Sequence, residues 1–104
     1  MAGKPFHPAD ATLWTWVSVD PDSLFGRKEK VLGENRLKKQ RELRRAGLRP
    51  DALMAVSPDG VVLEGHHRCR VALEFGESVT PLVSDIEVEK GLPIAQLPVK
   101  EFVL

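Results

Sequence analysis

Residues 59–68, DGVVLEGHHR, decide the fold of this chain. The apolar run at 61–64 predicts a β-strand, and Gly65 ends it. Residues 66–75 predict a helix that closes at Gly76. The predicted buried face of this helix consists of residues spaced three and four apart, namely Cys69, Ala72 and Leu73. A strand, a glycine and a helix are therefore expected in direct succession.

A hairpin is predicted just upstream. In the turn at 57–60, Pro58 presets φ and Gly60 can adopt a positive φ. The apolar run at 52–56 is expected to be the strand that pairs with 61–64.

A basic helix is predicted at 34–46, where strong helix formers dominate. Gly47 fits the position after the helix, and Pro50 prevents its continuation. The apolar stripe is thin, so the helix should lie on the surface. The stripe consists of Leu37, Leu43 and Leu48.

Further strands are predicted at 14–19, where apolar and polar residues alternate, at 79–83, and around 99–103. Residues 23–33 read as a loop with a helical turn. The pattern indicates an α+β fold with a mixed sheet and two or three helices. We expect a single domain at 14–104 after a flexible arm at 1–13.

Length and composition fit one small globular domain, with 104 residues and 42% hydrophobic residues. A single cysteine, Cys69, excludes an internal disulfide framework. The N-terminal segment has no apolar run typical of an export signal, and no stretch reaches the length of a membrane span. A cytoplasmic location without membrane contact is therefore expected.

Charge is strongly segregated although the net charge is zero. Residues 27–49 hold ten Lys or Arg against three Glu, a charge of +7 that the rest of the chain balances. This field suits an anionic partner, although a solvated helix face would give the same pattern. The candidate nucleic-acid-binding residues are Arg36, Lys38, Lys39, Arg41 and Arg45.

The start of the second helix is the candidate phosphate site. A helix N-terminus exposes unpaired amides and a positive dipole end, which favour an anion. Gly65 lets the backbone approach, Arg68 offers a planar fork, and His66 and His67 can donate hydrogen bonds or move a proton. Positive side chains at a positive helix end are favourable only if an anion lies among them. Alternatively, His67 is a buried hydrogen-bonded residue and Arg68 pairs with Glu64 or another carboxylate.

Other chemistry at this site is weaker. Adjacent histidines point about 100° apart on a helix, so His66 and His67 do not readily share one metal ion, and no metal site is expected. Cys69 lies on the predicted buried face, where packing is expected rather than nucleophilic catalysis.

The order of these elements, with Glu-Gly-His-His-Arg between strand and helix, resembles the ParB N-terminal domain and sulfiredoxin superfamily over about residues 16–86. In ParB the corresponding box is Gly-Glu-Arg-Arg, whose arginines bind nucleotide phosphates, and Gly65 and Arg68 match it. In sulfiredoxins the box is Gly-Cys-His-Arg, which Gly65, His67 and Arg68 match. His66 stands at the position of the catalytic cysteine, so the resemblance does not imply sulfinic acid reduction.

Three functions follow from the resemblance and the residues. The first is a ParB-like domain that binds nucleotide or nucleic acid. A phosphodiester-hydrolysing form of this function would use His66, His67 and Glu64. The second is a nucleotide-dependent kinase of a small molecule, with Mg²⁺ supplied by the nucleotide. The third is a non-enzymatic module, a toxin or regulatory protein, that binds a protein partner.

Overall fold

The computed structural model describes residues 16–48 and 54–101 and confirms the α+β class. Two α-helices pack with short strands that form three small sheets. The α-helices are α1 (Glu34–Arg45) and α2 (His66–Glu74). The strands are β1 (Phe25–Arg27), β2 (Leu32–Gly33), β3 (Ala55–Val56), β4 (Val62–Glu64), β5 (Leu82–Val83), β6 (Lys90–Pro93) and β7 (Val99–Lys100). Short 3₁₀ helices occupy Pro21–Ser23 and Ile94–Gln96.

The predicted hairpin is confirmed as the centre of a mixed sheet with the order β4-β3-β5. β3 pairs antiparallel with β4 and parallel with β5. At the turn, the N–H of Gly60 donates to the carbonyl oxygen of Ser57 at 3.0 Å, and Gly60 has a φ of 86°. Residues 52 and 53, which the prediction placed in the first strand of the hairpin, lie outside the described residues.

Both predicted helices are confirmed to within one residue. α1 ends at Arg45 and α2 at Glu74, and each is followed by a glycine with positive φ, Gly47 at 75° and Gly76 at 66°. Glycine adopts this left-handed conformation without the steric cost that a Cβ brings, which explains why the chain turns away there.

The core lies between α2, the hairpin and the underside of α1. Cys69 and Ala72 are fully buried as predicted, while Leu73 is only partly buried. In the predicted stripe of α1, Leu37 is buried, but Leu48 is 57% exposed because α1 has already ended. No helix among the described residues is long and apolar enough to cross a membrane.

The predicted loop with a helical turn at 23–33 is wrong where strands form, at Phe25–Arg27 and Leu32–Gly33. The 3₁₀ helix at Pro21–Ser23 is capped by the Asp20 side chain, and β1 and β2 follow it. β1 pairs with β6, a strand that the sequence pattern did not predict, and β2 pairs in parallel with β7. These strands are two to four residues long, too short for alternation to be visible.

The predicted strand at 14–19 is described only from Trp16 onward. Trp16 and Val19 form isolated antiparallel bridges with Leu82 and Val79, so this segment runs along the outer side of β5. The arm at 1–13 and residues 102–104 lie outside the described residues.

Candidate functional site

Gly65 places the start of α2 beside the hairpin. Its φ is 97°, a conformation that L side chains rarely adopt, and a Cβ there would lie 3.0 Å from Cγ of Met54. Glycine is therefore favoured at position 65 by the turn itself and by the packing of Met54.

The two histidines hold the backbone of the preceding segment. Nε2 of His66 accepts a hydrogen bond from the N–H of Arg27 at 3.3 Å, and Nε2 of His67 accepts one from the N–H of Gly33 at 2.9 Å. An imidazole nitrogen that accepts is unprotonated, so this network assigns the proton of each neutral ring to Nδ1. The hydrogen-bonded His67 that the alternative interpretation predicted is therefore confirmed.

Both rings favour the neutral state. Burial, together with the charges of Lys30 and Arg27 and the neighbouring His67, lowers the pKa of His66 to about 3. Burial and the charges of Arg36 and Lys30 lower the pKa of His67 to about 4. His66 is only 3% exposed, whereas His67 is half-buried. Near neutral pH the two rings therefore act as uncharged polar groups.

Three cations gather around these rings, and we call Arg27, Lys30 and Arg36 the cationic cluster. Burial, followed by the charges of Arg27 and Arg36, lowers the pKa of Lys30 below its ordinary value. Within residues 16–48 and 54–101, no ion pair joins any member of the cluster to a carboxylate. Within the described part of the chain, no carboxylate in direct contact therefore offsets the charge of these three side chains.

The five basic residues predicted on the first helix fall into different surroundings. Arg41 bridges two carboxylates at 2.8 Å, Glu34 on its own helix and Glu74 on α2. Its guanidinium is thereby committed to joining the helices, and the pKa of Glu74 is held below its ordinary value, chiefly by its hydrogen bond with Arg41. The other four are exposed: Arg36, Lys38, Lys39 and Arg45. Of these, Arg36 is the one that belongs to the cationic cluster.

The remaining predicted site residues lie around the start of α2. Arg68 is half-buried in its first turn, and Glu64 is exposed at the end of β4. Burial raises the pKa of the Cys69 thiol to about 12, which fits a packing role. In the part of the chain that the structure describes, no three His, Cys, Asp or Glu side chains form a group that could hold a metal ion.

No protein-family model matches this chain, and neither a curated protein nor a solved structure does. The assignment of function therefore rests on the site itself and on the motif.

Arg27 and Lys30 were not among the predicted site residues. The sequence contains a signal for them, the basic run Arg27-Lys28-Glu29-Lys30, but no periodicity shows which of these side chains face the second helix. The tertiary fold brings Arg27 and Lys30 to His66, almost forty residues later in the chain.

Proposed function

We propose that this protein binds a phosphate-bearing ligand at the start of α2, between residues 65–68 and the cationic cluster. The observation that carries the proposal is the gathering of Arg27, Lys30 and Arg36 with no acidic partner among the described residues. Like charges at short range repel, and burial increases the cost. A bound dianion would reverse the sign of this interaction.

Each group has a definite role in this proposal. Arg27 and Arg36 offer planar forks to phosphate oxygens, and Lys30 supplies a compact charge that is already partly desolvated. The first-turn amides of α2 have no carbonyl partner within the helix, because the first helical bond runs from the N–H of Cys69 to Gly65. Nδ1–H of His66 or His67 can donate a further hydrogen bond.

We also propose that the chain belongs to the ParB N-terminal domain and sulfiredoxin superfamily. The support is the Gly65-His66-His67-Arg68 box between β4 and α2, preceded by a basic helix and a hairpin. A cytoplasmic location is also proposed, since the single cysteine is buried and unpaired.

We propose that the site binds phosphate and does not hydrolyse phosphodiesters. Nε2 of each imidazole already accepts a backbone hydrogen bond, so the lone pair that a general base needs is occupied. If the ligand is a nucleotide, Mg²⁺ would arrive with its phosphates rather than in a site built by the described residues.

Nucleic-acid binding is the second candidate, and exposed cations on α1 favour it. Lys38, Lys39 and Arg45 are exposed. A nucleic-acid strand whose phosphate is bound at the start of α2 could continue along α1. The two candidates differ in salt dependence, because a polyanion that contacts many cations releases many counterions.

The test is isothermal titration calorimetry with inorganic pyrophosphate and with a short single-stranded DNA. The test variant combines Lys30→Met with Arg36→Met. The matched control combines Lys38→Met with Lys39→Met, which also removes two positive charges. We expect saturable pyrophosphate binding that the first pair weakens at least about tenfold, the effect of losing one or two charge-assisted hydrogen bonds.

The control pair should leave pyrophosphate binding within about twofold and reduce only the salt slope of DNA binding. Equal losses in both pairs would show that diffuse charge, not the cluster, attracts the anion. Absence of pyrophosphate binding in the unchanged protein would overturn the proposal.

A further inference from the structure

A cavity of about 260 Å³ adjoins the cationic cluster, because Arg27 and Lys30 are part of its lining. It lies between the β1–β2 turn and the chain around β6 and β7. Its polar lining is Arg27, Glu29 and Lys30, and its apolar lining includes Leu92, Leu97 and Pro98. Cationic and apolar groups thus share one concave surface.

Arg27 and Lys30 connect the cavity to the start of α2. Arg27 lines the cavity with its own atoms and donates its backbone N–H to His66. Lys30 lines the cavity and also lies close enough to both histidines to lower their pKa values. A ligand whose phosphate lies between the cluster and α2 would therefore place its next atoms at the mouth of this cavity.

Glu29 is held in the cavity wall at a conformational cost. The turn at 27–30 is closed by a hydrogen bond from the N–H of Lys30 to the carbonyl of Arg27 at 3.1 Å. Glu29 has a φ of 61°, and no other non-glycine residue among those described has a positive φ. Glycine or asparagine is preferred at this third position of a turn, and a side chain there costs about 1 kcal/mol or more.

The carboxylate of Glu29 has no ion-pair partner among the described residues, although Arg27 and Lys30 line the same cavity. The neighbouring Lys28 pairs with Glu89 at 3.2 Å instead. A strained acidic residue in a cationic pocket lowers the affinity for a bare anion. A ligand that also carries a hydrogen-bond donor would offset this cost by donating to Glu29.

We infer that the ligand is a phosphate monoester whose compact organic group occupies this cavity, against Leu92, Leu97 and Pro98. Glu29 accepts a hydrogen bond from a donor on that group. The inference rests on the proposed function and names its ligand class. Drug-sized molecules fill about 300–1,000 Å³, so this cavity suits a smaller group of about one ring. A terminal monoester fits a cavity of this kind better than a phosphodiester polymer, which must leave the site in both directions.

The experiment compares inorganic phosphate, phenyl phosphate and 4-aminophenyl phosphate by calorimetric titration. We expect phenyl phosphate to bind about tenfold more tightly than inorganic phosphate, the effect of removing about 60 Å² of apolar surface from water. Leu92→Asn should abolish this advantage and leave the affinity for inorganic phosphate unchanged. Leu92 is 50% exposed, so the substitution should not unfold the protein.

Ile86→Asn is the matched control, since Ile86 is 56% exposed and does not line the cavity. The control should retain the preference for phenyl phosphate. The unchanged protein should prefer 4-aminophenyl phosphate to phenyl phosphate, because the amino group donates to Glu29, and Glu29→Gly should remove this preference. The same variant should raise the midpoint of thermal unfolding, because the residue with positive φ no longer carries a side chain.

The outcomes separate the two proposals. Equal affinities for inorganic and phenyl phosphate would overturn the inference and leave the phosphate site standing. If neither compound binds, the proposed function fails with it. A preference for the amino compound that persists in Glu29→Gly would contradict the role assigned to Glu29.

Discussion

The backbone N–H of Gly33 donates a hydrogen bond to Nε2 of His67 at 2.9 Å. Gly33 is the residue before α1, and His67 lies in the first turn of α2, so this bond joins the beginnings of the two helices. Each helix end carries a partial positive charge. Their junction lies beside Lys30 and Arg36, whose charges lower the pKa of His67. Two helix ends and two cations therefore meet at one place, which is the physical basis of the proposed anion site.

The Gly33–His67 bond should contribute measurably to stability. His67→Ala leaves the buried N–H of Gly33 without this acceptor, and we expect a loss of about 1–2 kcal/mol in the free energy of unfolding. Urea denaturation measures it. Arg45→Ala, an exposed change on α1, is the control and should stay within about 0.5 kcal/mol. A fully stable His67→Ala variant would show that the bond is dispensable.

Gly65 and Gly47 offer a matched pair for testing why position 65 is glycine. Both have positive φ, 97° and 75°, but a Cβ at position 65 would press on Met54, whereas nothing lies within 4 Å at position 47. Gly47→Ala should cost about 1 kcal/mol from backbone strain alone. Gly65→Ala should cost more, about 2–3 kcal/mol, because the Met54 side chain must also shift. Equal costs, measured by urea denaturation, would mean that packing against Met54 plays no part.

The sequence predicted those parts of the fold that local patterns encode. α1 and α2 are long enough for their composition and their closing glycines to define them, and the turn at Gly60 has its own chemistry. β1, β2 and β6 were missed because two to four residues carry no period. Their pairing is decided by partners far along the chain, as in the parallel contact of β2 with β7.

The site was predicted in part for the same reason. The motif at 65–68 is local and readable, so Gly65 and the two histidines were found. That the imidazoles accept hydrogen bonds from Arg27 and Gly33 depends on tertiary structure. The salt bridge of Arg41 with Glu74 depends on the approach of α2, which no feature of the basic helix shows.

Stability should fall as the pH falls from 7.5 to 5.0. The folded pKa values of His66 and His67, about 3 and about 4, lie below the ordinary 6.5, so the unfolded chain takes up protons first. The contribution of the neutral rings is complete above pH 7 and is lost progressively below 6.5. The buried His66 should account for about 1–2 kcal/mol at pH 5, and the more exposed His67 for less.

Urea midpoints measured across this range test the sign, and the double variant His66→Asn, His67→Asn should flatten the profile. The pKa of Glu74 is lowered, so its contribution to stability is lost only in more acidic solution and does not affect the measurement between pH 7.5 and 5.0. Stability that rises on acidification to pH 5 would contradict the assigned neutral state.

The charges of the cationic cluster should affect the measured pKa values of the His66 and His67 imidazoles. Lys30→Met should raise the pKa of both histidines, because the charge of Lys30 acts on both rings. Arg36→Met should change the pKa of His67 more than that of His66, since of the two rings only His67 is directly affected by the charge of Arg36. NMR titration of the ring Cε1 protons measures both. Unchanged values in both variants would show that burial alone is responsible and that the cations lie too far away to form one site.

The most direct test of the central claim is an NMR titration of the protein with inorganic phosphate at pH 7. We expect saturable shifts of the amide signals of His66, His67 and Arg68, together with higher imidazole pKa values in the bound state, because a neighbouring anion favours the charged ring. The double variant Lys30→Met, Arg36→Met should lose these shifts, and the Lys38→Met, Lys39→Met control should keep them. Shifts confined to the exposed face of α1, or none at the start of α2, would contradict the account.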